Sequence, residues 1–115
     1  MDLKFEKHGT VGIFNFSGEL TNEIEQKLQV VLLRAAYSIE RSVLNFKKVS
    51  RIDPKCLQLL KQAYATSLRL HNPLIFTDLH GKYLKEISGT AQEAIDVPIA
   101  ERNEYADIEN EAVYN

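Results

Sequence analysis

The chain has 115 residues, 44% hydrophobic and 26% charged, which is the composition of a soluble globular protein with room for one core. A net charge of −2, with basic residues scattered along the chain, argues against a nucleic-acid binder. The longest apolar run, Val30 to Leu33, is far shorter than the ~20 residues that span a bilayer, and Met-Asp-Leu-Lys-Phe-Glu at the start lacks the apolar core of a secretory signal.

In chain order, Leu3 to Lys7 alternates apolar and polar residues as an outer strand does, and Gly9 marks a turn. Val11 to Phe16 is β-branched and aromatic and should close a hairpin with it; Ser17-Gly18-Glu19-Leu20 ends that strand. Thr21 or Asn22 can cap a helix, with Glu25 three residues after Asn22 in the manner of a capping box. Ile24, Leu28, Val31, Leu32, Ala35 and Ile39 form its apolar stripe. Arg41 to Phe46 is the next strand, followed by a basic turn at Lys47-Lys48. Asp53 then suits the N-cap of a second helix and Pro54 its first turn, where a fixed φ fits and a missing N–H costs nothing. Leu57, Leu60, Tyr64 and Leu68 recur at helical spacing to about Leu70, and His71-Asn72-Pro73 forces a break. Leu74 to Thr77 is a short strand, Lys82 to Ser88 a short helix stopped by Gly89, and Ala94 to Ile99 a possible edge strand weakened by Pro98. The order β-β-α-β-α-β-α predicts an α/β fold. Its sheet is mixed, with helices packed on it and parallel later strands joined by right-handed crossovers. One domain is expected over residues 1–100. Residues 101–115 form an acidic tail or short terminal helix, with five acids (Glu101, Glu104, Asp107, Glu109, Glu111) against Arg102 alone.

Little in the sequence supports catalysis. His8, His71 and His80 fall in separate loops or strand ends and none is spaced with Cys56 as a metal site requires. The five glycines follow no phosphate-loop pattern, so no metal or cofactor is expected. Cys56 lies near a helix start, which can activate a thiol, but it also falls on the apolar side of that helix, where a small core residue belongs. One Cys rules out an internal disulfide and suits a reducing, cytoplasmic compartment. A non-enzyme is the expectation.

Two segments resemble the STAS domain of anti-sigma factor antagonists. Phe16-Ser17-Gly18-Glu19-Leu20-Thr21 is similar to that family's G-E-L-D strand end. Val43-Leu44-Asn45-Phe46, followed by Val49-Ser50-Arg51-Ile52-Asp53 and Leu57, is similar to its apolar strand and D-S-S-G-L. The resemblance covers about Leu3 to Ser88 and implies a STAS-like single domain. It also implies a protein-interaction module in signalling and transcription regulation that binds an anti-sigma factor or serine kinase. Asp53 and Leu57 match that motif, whereas Pro54 and Lys55 stand at its two serines and Cys56 at its glycine. The family's kinase phosphorylates a hydroxyl at the position of Pro54, which can accept no phosphoryl group; Ser50, on the same loop, is the nearest alternative.

The expected partner-binding residues are Glu19, Thr21, Asn22, Arg51, Asp53, Pro54 and Lys55. Lys47, Lys48, Arg51 and Lys55 would form a basic face beside the 19–22 loop. Two alternatives stay open. One is a STAS-type subunit of a lipid-transport ABC complex. The other is a small-anion or nucleotide-binding regulatory domain that uses the free N–H groups at the helix start. No nucleic-acid partner and no direct membrane insertion are expected.

Overall fold

The apolar alternation from Val11 to Phe16 sets the centre of the sheet. In the computed structural model, which describes residues 1–95, it forms the first half of β2 (Val11–Leu20) and sends Phe14 and Phe16 to one buried face. β1 (Asp2–His8) pairs with it antiparallel through a turn at Gly9, whose φ of +62° suits a residue without a Cβ. β3 (Arg41–Ile52) and β4 (Ile75–Thr77) add in parallel, giving the order β1-β2-β3-β4. A single 3₁₀ turn (Asn22–Ile24) leads into α1 (Glu25–Ala36); α2 (Pro54–Arg69) and α3 (Gly81–Ile95) complete the β-β-α-β-α-β-α order.

One core joins sheet to helices. Leu28, Leu32 and Ala35 of α1, Cys56, Leu57 and Leu60 of α2, and Ile87 of α3 meet Phe14, Phe16, Leu44 and Phe46. The rings of Phe16, Phe46 and Phe76 stack across three neighbouring strands, at 5.3 Å and 6.0 Å. On the other face Ile13, Val43 and Ile75 stand in register, and the Asn45 amide donates to Asn15 Oδ1 at 2.9 Å. Where α2 ends, Ser67 Oγ donates to Tyr64 O and accepts from Leu74 N, and the Asn72 amide donates to Ser38 O and Glu40 O. These bonds tie the loops at that end of the sheet together.

Several local expectations differ from the fold. Lys47-Lys48 is strand, not turn. β2 and β3 keep pairing past it, through Ser17–Lys48, Gly18–Val49, Glu19–Arg51 and Leu20–Ile52. Leu20 and Ile52 are buried and anchor the far ends of the two strands. The register slips between Asn15 and Ser17, and between Gly18 and Glu19, where Gly18 takes φ +87°. α1 stops at Ala36, so Ile39 is no part of its stripe and is fully exposed. Gly89 lies inside α3, since one helical Gly costs about 1 kcal/mol but does not by itself end a helix anchored at Ile87. Of the expected edge strand, Ala94 and Ile95 belong to α3; the remainder, and the acidic 101–115 segment, lie outside the described residues.

Candidate functional site

Because β2 and β3 are parallel, both deliver their C-terminal ends to the same edge of the sheet. Leu20 pairs with Ile52, and Asp53 N then donates to Leu20 O at 2.8 Å. The chain leaving β2 and the start of α2 are thereby held side by side. Cys56 adds a second tie, its Sγ donating to Thr21 O at 3.2 Å. Glu19, Thr21, Asn22, Arg51, Asp53, Pro54 and Lys55 therefore lie around one juncture. Glu19, Asn22, Arg51, Pro54 and Lys55 are exposed, whereas Thr21 and Asp53 are half-buried.

The helix start has the expected backbone and an unexpected side chain. Asp53 takes an extended φ of −70° and ψ of 155°, and Pro54 occupies the first turn. Leu57 N reaches Asp53 O at 2.9 Å. The Asp53 carboxylate makes no capping bond and turns to Arg51, 3.6 Å away. Arg51 also reaches Glu19 at 3.5 Å, so one guanidinium bridges two acids from the two strand ends. The Arg51–Glu19 pair is exposed and the Arg51–Asp53 pair exposed on its Arg51 side, so each is worth about 0–1 kcal/mol; they set orientation more than stability. Neither Thr21 nor the expected Asn22–Glu25 box supplies a side-chain cap, because a 3₁₀ turn intervenes before α1.

The four expected cations do not form one face. Arg51 and Lys47 line a groove of about 420 Å³ between β3 and the start of α3, with His80, Lys82 and Tyr83. Lys48 lines a depression against β1 with Lys4 and Lys27, and Lys47 borders both. Lys55 is exposed at the second position of α2, where the helix dipole disfavours a cation by roughly 0.3–1 kcal/mol. The surface at the juncture is thus mixed in charge: Glu19 and Asp53 beside Arg51, with Lys55 adjacent. Sequence reasoning missed Lys82 and Tyr83, which approach only because β3 runs on to Ile52 and β4 returns beside it. No local pattern signals that approach.

The surroundings of Cys56 oppose thiolate formation. The residue is completely buried, and burial pushes its thiol up from the ordinary 9.0, with the nearby charges of Asp53 and Glu25 adding to the rise. A raised value favours the folded state while the thiol is protonated. This contribution is whole below pH 9 and is lost as the pH climbs through the raised value. Iodoacetamide at pH 7 should therefore leave Cys56 essentially unmodified until urea unfolds the chain. Rapid labelling of the native protein would refute the buried, protonated thiol.

No family model matches the sequence, and no curated protein is similar to it. Solved structures do match. The anti-sigma factor antagonist SpoIIAA, in its unphosphorylated form, superposes with a TM-score of 0.63 at 16% identity, over 83% of this chain and 96% of that one. The chain has the STAS fold. A second structure, of the protein Mglu, matches with a TM-score of 0.59 at 18% identity; it covers 68% of this chain, which spans 20% of that protein's length. In this STAS fold the juncture of β2, β3 and α2 holds both segments whose residues resembled the family. The helix start carries Pro54 and Lys55 with no hydroxyl between Asp53 and Leu57. Ser50, on the last part of β3, is exposed, its Oγ donating to Gly18 O at 3.4 Å.

Proposed function

We propose that this chain is a non-catalytic protein-interaction module of the anti-sigma factor antagonist type. It docks an anti-sigma factor or related serine kinase through Glu19, Thr21, Asn22, Arg51, Asp53, Pro54 and Lys55. The observation that supports this most is the Asp53 N to Leu20 O bond. It fixes two chain segments, one from each strand end, into a single exposed surface whose charged groups are already oriented by Arg51. The fold of SpoIIAA supports the partner class. Pro54 has no atom on which a kinase could place a phosphoryl group, so docking here runs without that covalent switch; a kinase partner would bind without modifying the helix start. Among the described residues no helix is long and apolar enough to cross a membrane, and a cytoplasmic module of residues 1–100 is part of the proposal.

A pull-down with the tagged chain tests the reading. The expected catch is an anti-sigma factor or serine kinase, retained by wild type and lost from the Arg51→Glu, Lys55→Glu double variant. Recovery of ABC-transporter subunits instead would move the module to the transport role, and a catch indifferent to the double variant would move the contact away from this surface.

A further inference from the structure

At the opposite end of the sheet, the α1–β3 and α2–β4 connections enclose a groove of about 570 Å³ that includes Tyr37, Ile39, Arg41, Leu70 and His71. Three apolar side chains on it face water: Ile39 is 101% exposed, Tyr37 63% and Leu70 43%. Val30 and Leu33, 59% and 49% exposed, continue the strip along α1 at helical spacing from Tyr37. An exposed apolar patch of this kind marks a contact site.

We propose that the acidic segment of this same chain, Glu101 to Glu111, seats on this groove. Three observations point to that occupant. The first is where the chain arrives. α3 starts beside β3, meets the middle of α2 through Lys61 and Glu86 at 3.5 Å, and at Gly89 shares a surface depression with Thr66 and Arg69. It therefore advances toward the end of α2, which Leu70 caps, and its last six residues add about 9 Å in that direction. From Ile95, six residues to Glu101 span at most about 20 Å.

The second observation is charge. Residues 96–115 contain six acids and one base, a net −5, while residues 1–95 contain thirteen bases and ten acids, a net +3; together they give the chain's −2. At this end Arg34 and Arg69 are exposed in the last turns of α1 and α2. The acid on the rim, Glu40, is already paired with Lys7 at 2.6 Å. The third observation is composition: Tyr105 and Ile108, within the acidic segment, supply the apolar groups that Tyr37, Ile39 and Leu70 would cover. A short tether gives an effective concentration on the order of millimolar, so a contact with a Kd of about 1 mM is occupied about half of the time.

The test uses the full chain with a nitroxide at Asn103→Cys, labelled at pH 7 where Cys56 is shielded, and reads amide intensities by NMR. Amides of Tyr37 to Arg41 and of Leu70 to Asn72 should lose about half of their intensity or more. Ile39→Asp, at a fully exposed position, should cut that loss about threefold without altering the fold, and 0.5 M salt should reduce it. Broadening centred on Lys47, Arg51 and Lys82, broadening nowhere, or broadening only when nitroxide-bearing chain is mixed with isotope-labelled chain that carries no nitroxide would each overturn the proposal. None of these readouts needs a partner protein, so the outcome is separate from the docking role at the other end of the sheet.

Discussion

Phe46→Ala should lower stability by about 3–5 kcal/mol, the cost of emptying a buried aromatic site. Phe46 is 2% exposed and is the middle ring of the three that stack across β2, β3 and β4. Few single changes remove more from a total stability of about 5–15 kcal/mol. The urea midpoint should fall by about 1 M or more, given typical slopes for a domain of this size. Phe5→Ala is the informative contrast. Phe5 contacts Phe14 at 4.9 Å but is 54% exposed, so its loss should cost only about 0.5–1.5 kcal/mol. Both rings lie on the helix-covered face, since Phe5 pairs directly with Phe14, so equal costs for the two would mean that depth of burial does not set the cost there. The effect also bears on the docking surface, because Phe46 immediately precedes the stretch of β3 that carries Arg51 to the sheet edge.

Reversing Arg51 and Lys55 together should slow association with the partner about ten- to hundredfold, within the range that electrostatic steering supplies. Each substitution changes the charge by two, and Arg51 is the cation that offsets Glu19 and Asp53. The reversed surface would present uncompensated acids on both sides of the juncture. The change should appear mainly in the association rate and should shrink with added salt, whereas folding stability should move by only about 0.5 kcal/mol. Lys48→Glu is the control. Lys48 lines the β1-side depression with Lys4 and Lys27, so its reversal should leave the rate nearly unchanged. Stopped-flow mixing or surface-plasmon resonance against the recovered partner reads wild type and both variants, and an equal effect of Lys48→Glu would show that total charge, not this surface, governs the encounter.

Much of this architecture is legible in local sequence. The alternation of Val11 to Phe16, the Asp53-Pro54 start of α2 and the His71-Asn72-Pro73 break are each dictated by neighbours within a few residues. Pairing of β2 with β3 past Lys47 was not legible. It depends on Leu20 and Ile52 being buried together, which no window of sequence contains. The site shows the same division. Its backbone placement follows from two parallel strand ends, a consequence of element order alone. Its side-chain partners do not: a carboxylate at an N-cap can serve the helix or a nearby guanidinium, and the position of Arg51 decides that choice. The separation of Lys48 from Arg51, with Lys47 bordering both depressions, likewise depends on the two register slips in β2–β3, which leave no sequence signature beyond Gly18.

Hydrogen exchange of the chain, free and bound to the partner recovered by pull-down, tests the docking surface most directly. The account predicts that amides of Leu20 to Asn22 and of Lys55 and Cys56 slow on binding, while those of β1 do not. Protection confined to Tyr37–Arg41, or to the open face of the sheet at Ile13, Val43 and Ile75, would contradict it.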